Sequence, residues 1–236
     1  MRKASRYTAA TGPEAEYEPG SRNRVLRNRM GVTSKSVMDA LEAESLAEVQ
    51  TRYFLGEIVT EETRFTINLI QQMHRDWLGD IYAWAGSYRT VDMSKGGFVF
   101  PPAYLIEHNM RAFELDVLGM LTPCRPGAVR KVCKDVATVH AEMLLIHPFR
   151  EGNGRLARWL ASIMFAQAGM TIPDYGFVGR GAEKRRQDYL AAVIKGYYRD
   201  DFDLAVFFEG ALERGYAADL TLDSERGDAP SKTDDS

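Results

Sequence analysis

Between two polar ends, apolar residues recur along this chain at helical spacing. Val37, Leu41, Leu46 and Val49 follow Ser34 and Ser36, either of which can cap a helix. Ile67, Ile70, Met73, Trp77 and Ile81 follow Thr63 and Thr66 in the same way. A third helix is predicted over residues 105–121, and a fourth from Ala128 to about Ile146. The fourth carries Val132, Val136, Val139, Met143 and Ile146 on one stripe. It should end at His147, because Pro148 disfavours helical backbone at the residue before it. Residues 155–168 form a fifth helix with Gly169 as its stop, and 183–198 and 202–212 give two more. One stretch departs from this period. Residues 88–100 alternate partly around Gly96-Gly97, which is a hairpin signal. The pattern predicts an all-α chain with one small β-hairpin.

The ends lack periodicity. Residues 1–22 are rich in Ala, Gly, Glu, Ser and Pro and read as a flexible N-terminal arm. Residues 23–221 read as a single domain. Residues 222–236 carry Asp223, Glu225, Asp228, Asp234 and Asp235 and read as an acidic disordered tail.

A chain of 236 residues with 45% apolar and 27% charged positions can bury a full core. Its net charge of −3 argues against a sequence-independent hold on nucleic acid but leaves room for a local basic pocket. Cys124 and Cys133 make no CxxC pair and read as reduced thiols. Residues 1–20 have no apolar stretch of the signal-peptide kind, and no run of 18 apolar residues occurs. The expected compartment is the cytoplasm, with no membrane partner.

Candidate chemistry concentrates in HPFREGNGRLAR, residues 147–158. Gly152, Asn153 and Gly154 stand where one helix has ended and the next begins. Glycines let backbone N–H groups approach a ligand closely. A helix start aims unpaired N–H groups and a positive dipole end at the same spot, which is an anion site. Asn153 is the expected N-cap, with an amide that could also donate to a phosphate. Arg155 and Arg158 share one face of the first turn, where the dipole opposes cations unless an anion lies between. Guanidinium forks match polyphosphate oxygens. Glu151 beside this nest suits a Mg²⁺ ion that bridges phosphates. His147 titrates near neutrality and can take a proton from a hydroxyl.

This segment resembles the signature of the Fic family (the Fic/Doc or "Fido" proteins), HPFx[D/E]GNGRxxR, at every specified position. Residues 77–100 resemble the family's helix, loop and hairpin flap, and 140–149 the helix leading into the motif. The resemblance implies a Fic-type helical bundle with a β-hairpin flap over the active site. It also implies a protein adenylyltransferase that moves AMP from ATP to a Ser, Thr or Tyr hydroxyl of a target protein. His147 would be the base, and Glu151 would hold Mg²⁺ at the α- and β-phosphates. Gly152, Asn153 and Gly154 would form the anion nest. Arg155 would hold the β- and γ-phosphates and Arg158 the γ-phosphate. Pro148 and Phe149 would pack the motif, with Phe149 anchoring the loop in the core. Lys95, Gly96, Gly97, Phe98 and Val99 would pin an extended piece of the target. Tyr189 would line the adenine site, although the asparagine often found downstream is absent and Tyr197 stands about there. In Doc-type kinases a lysine follows the motif asparagine; Gly154 here favours AMP transfer. Transfer of another phosphate group, removal of AMP, or a catalytically silent ATP-binding module are the alternatives.

Many relatives are held off by a glutamate from [S/T]xxxE[G/N], placed in the chain or on a small antitoxin. Partial hits occur at Thr138–Glu142 and Thr221–Glu225, and the expected off-switch is a separate small inhibitory protein or an intramolecular contact outside this motif. His140 reads as a core hydrogen bonder, while His74 and His108 read as surface or semi-buried. Trp77, Tyr82, Trp84 and Trp159 read as core. Lys184, Arg185 and Arg186 read as a solvated face.

Overall fold

The computed structural model of the chain describes residues 13–56, 58–95 and 97–227. Among these residues the helices are α1 (Lys35–Phe54), α2 (Ile67–Leu78), α3 (Ile106–Phe113), α4 (Gly119–Leu121), α5 (Val129–Ile146), α6 (Asn153–Gln167), α7 (Ala182–Gly196) and α8 (Phe202–Gly227). The only sheet among them is an antiparallel hairpin of β1 (Ser94–Lys95) and β2 (Phe98–Val99), with Ser94 opposite Val99 and Lys95 opposite Phe98.

Helix α5 is the axis. Its predicted stripe of Val132, Val136, Val139, Met143 and Ile146 is 2% exposed or less at every position. The other faces are buried as well, through Cys133, Ala137, His140 and Ala141, so α5 packs against α6, α8, α7 and α3. A helix apolar on several sides belongs at the centre of a bundle. Helix α6 is buried along most of its length, with Trp159, Met164 and Phe165 fully enclosed. Tyr53 of α1 meets the Trp159 ring edge-on at 4.8 Å. A second, smaller apolar cluster of Val91, Met93 and Phe100 sits under the hairpin, separate from the main core.

Of the two candidate caps of α2 it is Thr66 that serves, accepting from the Leu69 amide at 3.1 Å. Four expectations change in detail: the helix over 105–121, the end of α8, the acidic tail and the N-terminal arm. The single helix expected over 105–121 is broken by a wide π turn at Glu114–Leu118, and the Glu114 carboxylate there accepts from the Ile67 amide at the start of α2. Helix α8 runs well past 212 to Gly227, because Ala217, Ala218 and Leu220 sustain it and Gly215 lets it approach the Ile172 carbonyl closely. The acidic tail expected from 222 therefore begins as helix, and residues 228–236 lie outside the described residues.

The fourth change is at the other end. Residues 1–12 lie outside the described residues, but the arm beyond them is docked. Glu14 is 5% exposed and accepts from the Thr90 amide and hydroxyl, and Tyr17 bridges to Leu26. No helix among the described residues is long and apolar enough to cross a membrane.

Candidate functional site

The turn between α5 and α6 is built from two left-handed residues. His147 has φ 52° and Gly152 has φ 85°. The first is costly for a residue with a Cβ, by about 1–2 kcal/mol, and persists only where its surroundings fix it. The His147 amide stays in the helix by donating to Met143 O. Its carbonyl accepts from Arg89 Nε at 2.7 Å, and its ring stacks on Phe100 at 3.8 Å. Gly152 is fixed by space as well as by φ. A Cβ there would stand 2.8 Å from the Trp77 ring.

The imidazole proton of His147 can be placed. Nδ1 lies 3.1 Å from the Leu144 carbonyl, which only accepts, so Nδ1 carries the hydrogen and Nε2 keeps its lone pair. Burial is the chief cause that pushes this group down to about 4. The Arg89 and Lys95 charges push the same way, and the Leu144 bond opposes them. The side chain is therefore neutral, and able to act as a base, at physiological pH.

His147 lines a cavity of about 320 Å³. Glu151, Gly152, Asn153, Gly154 and Arg158 line the same cavity. The hairpin (Ser94, Lys95, Phe98) covers one side, and Leu190, Val193 and Tyr197 form an apolar wall. The first backbone bond of α6 runs from Leu156 N to Gly152 O. The amides of Asn153, Gly154 and Arg155 thus precede the ladder at the positive end of the helix dipole. A polyphosphate matches that amide row, and the apolar wall suits a flat ring.

Several candidate residues behave otherwise than the sequence predicts. Asn153 is not the N-cap; Gly152 holds that position. The Asn153 side chain lies 2% exposed and turns back on the loop, accepting from Phe149 N at 2.9 Å and donating to Phe149 O at 2.7 Å. Both amide atoms are engaged there, so its role is to tie the turn. Arg155 does not line the cavity. Its guanidinium donates to Glu42 Oε2 of α1 at 2.6 Å and lies over the Trp77 ring at 4.6 Å. Arg158 does line the cavity, with its guanidinium over the Phe177 ring at 5.6 Å. Tyr189 lines the wall, and its hydroxyl is 2.7 Å from His140 Nε2. His140 Nδ1 faces the Ala157 carbonyl, so this histidine is a core hydrogen bonder.

Phe149 is fully buried, stacked on His74 at 4.0 Å with the planes 9° apart, and Pro148 is buried beside it. Of the hairpin residues, Lys95 and Gly97 are exposed, Val99 is 72% exposed, and Gly96 lies outside the described residues. Neither Thr138 nor Glu142 is among the residues that line the cavity, and Glu142 is paired to Arg199. The Glu225 side chain lies outside the described residues. Lys184 pairs with Asp188, and Arg185 and Arg186 donate to carbonyls of the 176–180 loop.

Two residues that matter to this turn escaped the sequence reading. His74, expected near the surface, is fully buried. Its Nδ1 accepts from the Gly86 amide at 2.8 Å, so Nε2 donates to the Glu151 carbonyl at 3.1 Å. Its place beside Ile70, Met73 and Trp77 on the buried face of α2 was the available signal. Arg89 is 2% exposed and left no signal in the pattern.

The comparisons with known proteins bear on the fold and on residues 64–165. Residues 64–165 match the family model described as the Fic/DOC family. The chain is 28% identical over 202 residues to the Protein adenylyltransferase Fic of Nematostella vectensis, covering 84% of this chain and 44% of that protein. It is 27% identical over 198 residues to the Protein adenylyltransferase VbhT of Bartonella schoenbuchensis, covering 84% of this chain and 38% of that one. It thus spans less than half the length of either. The crystal structure of BepC, a VirB-translocated effector protein of Bartonella tribocorum with bound AMPPNP, superposes with a TM-score of 0.63 at 18% identity, over 79% of this chain and 91% of that one. The motif turn, the covering hairpin and these likenesses together make the chain similar to the Fic/DOC family, whose model matches residues 64–165, less than half of it.

Proposed function

We propose that this chain transfers AMP from ATP to a hydroxyl side chain of a target protein. The observation that carries the reading is a neutral His147, its Nδ1 committed to the Leu144 carbonyl and its Nε2 left as the acceptor, in the same cavity as Glu151, Gly152, Asn153, Gly154 and Arg158. A hydroxyl held beside the hairpin gives its proton to Nε2. Its oxygen forms a bond to the α-phosphorus, the bond from that phosphorus to the bridging oxygen breaks, and pyrophosphate leaves. The amides of Asn153, Gly154 and Arg155 and the Arg158 guanidinium stabilise the phosphate charge. The exposed edge at Val99 offers an extended target segment a strand to pair with.

Mg²⁺ fits the donor set. Glu151 gives one partly exposed carboxylate at the cavity, and no group of three or more His, Cys, Asp or Glu among the described residues could cage a metal. That suits an ion held largely by phosphate oxygens and water. When bound it would neutralise charge on the phosphates. The small Gly154 leaves the nest open and favours AMP over phosphate as the transferred group. A separate inhibitory protein that offers a carboxylate to Arg158, and a cytoplasmic supply of ATP, belong to the same reading.

The test is incubation with α-labelled ATP, Mg²⁺ and a bacterial lysate, beside His147→Ala. Protein bands labelled by the wild type and lost in the variant are expected. Label that enters protein only from γ-labelled ATP would overturn AMP transfer.

A further inference from the structure

Arg89 is a buried cation whose guanidinium donates to no carboxylate among the described residues. It donates to three carbonyl oxygens: Nε to His147 at 2.7 Å, Nη1 to Val91 at 2.6 Å and Nη2 to Pro101 at 2.6 Å. Its own backbone amide donates to Pro148 O at 2.8 Å. Residue 89 therefore ties two successive carbonyls of the α5–α6 turn to both feet of the hairpin.

Burying a guanidinium with no carboxylate bonded to it is costly even with the Asp92 and Glu14 charges acting on it, and its acceptors must be well placed to hold it. Arginine alone suits these three. Its donors lie in one rigid plane and point in fixed directions, whereas lysine offers a single point charge and glutamine a single amide. The hairpin needs such a fixture. It has two residues per strand, and its own apolar cluster of Val91, Met93 and Phe100 is separate from the main core. Besides Arg89, Phe100 joins it to the turn by stacking its ring on His147, while its amide closes the hairpin on Met93 O. The same guanidinium holds the carbonyl of the one histidine whose backbone is left-handed.

We infer that Arg89 is a positioning residue that sets the hairpin, and with it a hydroxyl docked there, in register with His147 Nε2. The inference rests on the proposed transfer. It also separates two properties of the site. Nucleotide contacts come from the turn at 151–154, Arg158 and the wall of Leu190, Val193 and Tyr197, none of which the guanidinium of Arg89 is bonded to. Target presentation comes from residues 91–101, to which it is bonded.

The experiment compares wild type with Arg89→Lys, and with Arg89→Gln where the lysine chain fails to fold. Hydrogen exchange is followed in residues 91–101 and in α5, and the His147 ring proton is followed by NMR. Binding of ATP with Mg²⁺ and labelling of a lysate from α-labelled ATP complete the set. The expected result is hairpin exchange faster by about 10-fold or more with α5 within about twofold, as for a local opening. The His147 ring signal should move as the Phe100 stack loosens. ATP affinity should stay within about threefold while protein labelling falls about 10-fold or more, as for lost orientation. Unchanged hairpin exchange, or a parallel rise in α5, would overturn the inference. A wild type that labels no protein would count against the proposed transfer instead, and the exchange and ring signals would still judge Arg89.

Discussion

The Arg155 guanidinium lies 2.6 Å from the Glu42 carboxylate, between side chains that are 26% and 4% exposed. Tyr82 donates its hydroxyl to the other Glu42 oxygen at 2.6 Å, and Trp77 Nε1 donates to the Glu42 carbonyl at 2.8 Å. A motif arginine is thus a strut between α6 and α1. Removing one partner of a buried pair leaves the other uncompensated, so Arg155→Ala and Glu42→Ala should each cost about 3 kcal/mol. A double-mutant cycle by urea unfolding should give a coupling of about 2 kcal/mol. Additive single effects would mean the pair does not hold the helices together.

The pH dependence of transfer should be set by His147. With its imidazole pushed down to about 4, mainly by burial, the base form dominates at all higher pH. The rate constant kcat/KM should therefore be flat from pH 6 to 8 on the acid side and fall only as pH drops through about 4. Lys95→Gln removes one of the positive charges that hold the imidazole neutral, and should move that limb upward. An acid limb centred near 6.5 in the wild type would contradict this.

Gly152→Ala should be severe for two additive reasons. The backbone is at φ 85°, and the new methyl would meet Trp77 at 2.8 Å. Left-handed strain and overpacking together should cost about 2–4 kcal/mol. The shift in the amide row should also abolish ATP binding. Calorimetric titration with ATP and Mg²⁺, beside a urea curve, checks both. A variant that binds as the wild type does would show that the turn adapts.

Acid should destabilise the fold through three buried histidines. Burial pushes His74 to about 4, His140 to about 3 and His147 to about 4, all below their ordinary value. Between that value and those, the unfolded chain binds more protons than the folded one, so stability falls as pH drops from about 6.5 to 4. Three such groups give a slope of up to about 4 kcal/mol per pH unit. Urea midpoints across that range test it, and His140→Phe should flatten the slope by about a third.

Much of this molecule could be read from the chain because it depends on local period. The α5 stripe predicts a buried helix, and every member is buried. Pro148 predicts a stop at His147, and that is where α5 ends. Gly96-Gly97 predicts a hairpin, and β1 pairs with β2 around them. What escaped depends on distance along the chain. Glu42 and Arg155 are 113 positions apart, and the contact of Arg150 Nε with the Glu14 carbonyl spans 136. Arg89 and Asn153 act on backbone carbonyls and amides, which every residue possesses, so no residue type announces them. Polar period alone also cannot see that a charged side chain such as Arg89 will be enclosed.

The docking of α1 and of the segment at Glu14 bears on where this unit can be cut. The stretch 64–165 that matches the family model holds the whole α5–α6 turn. Yet Glu42, the Tyr53 ring against Trp159, the Glu14 carbonyl and the partners of α5 in α7 and α8 all lie outside it. Excised at those limits, the matched stretch would carry its chemistry on an unsupported frame. The recognisable signature is shorter than the packed unit, and any fusion, truncation or graft of the proposed activity has to respect the larger segment.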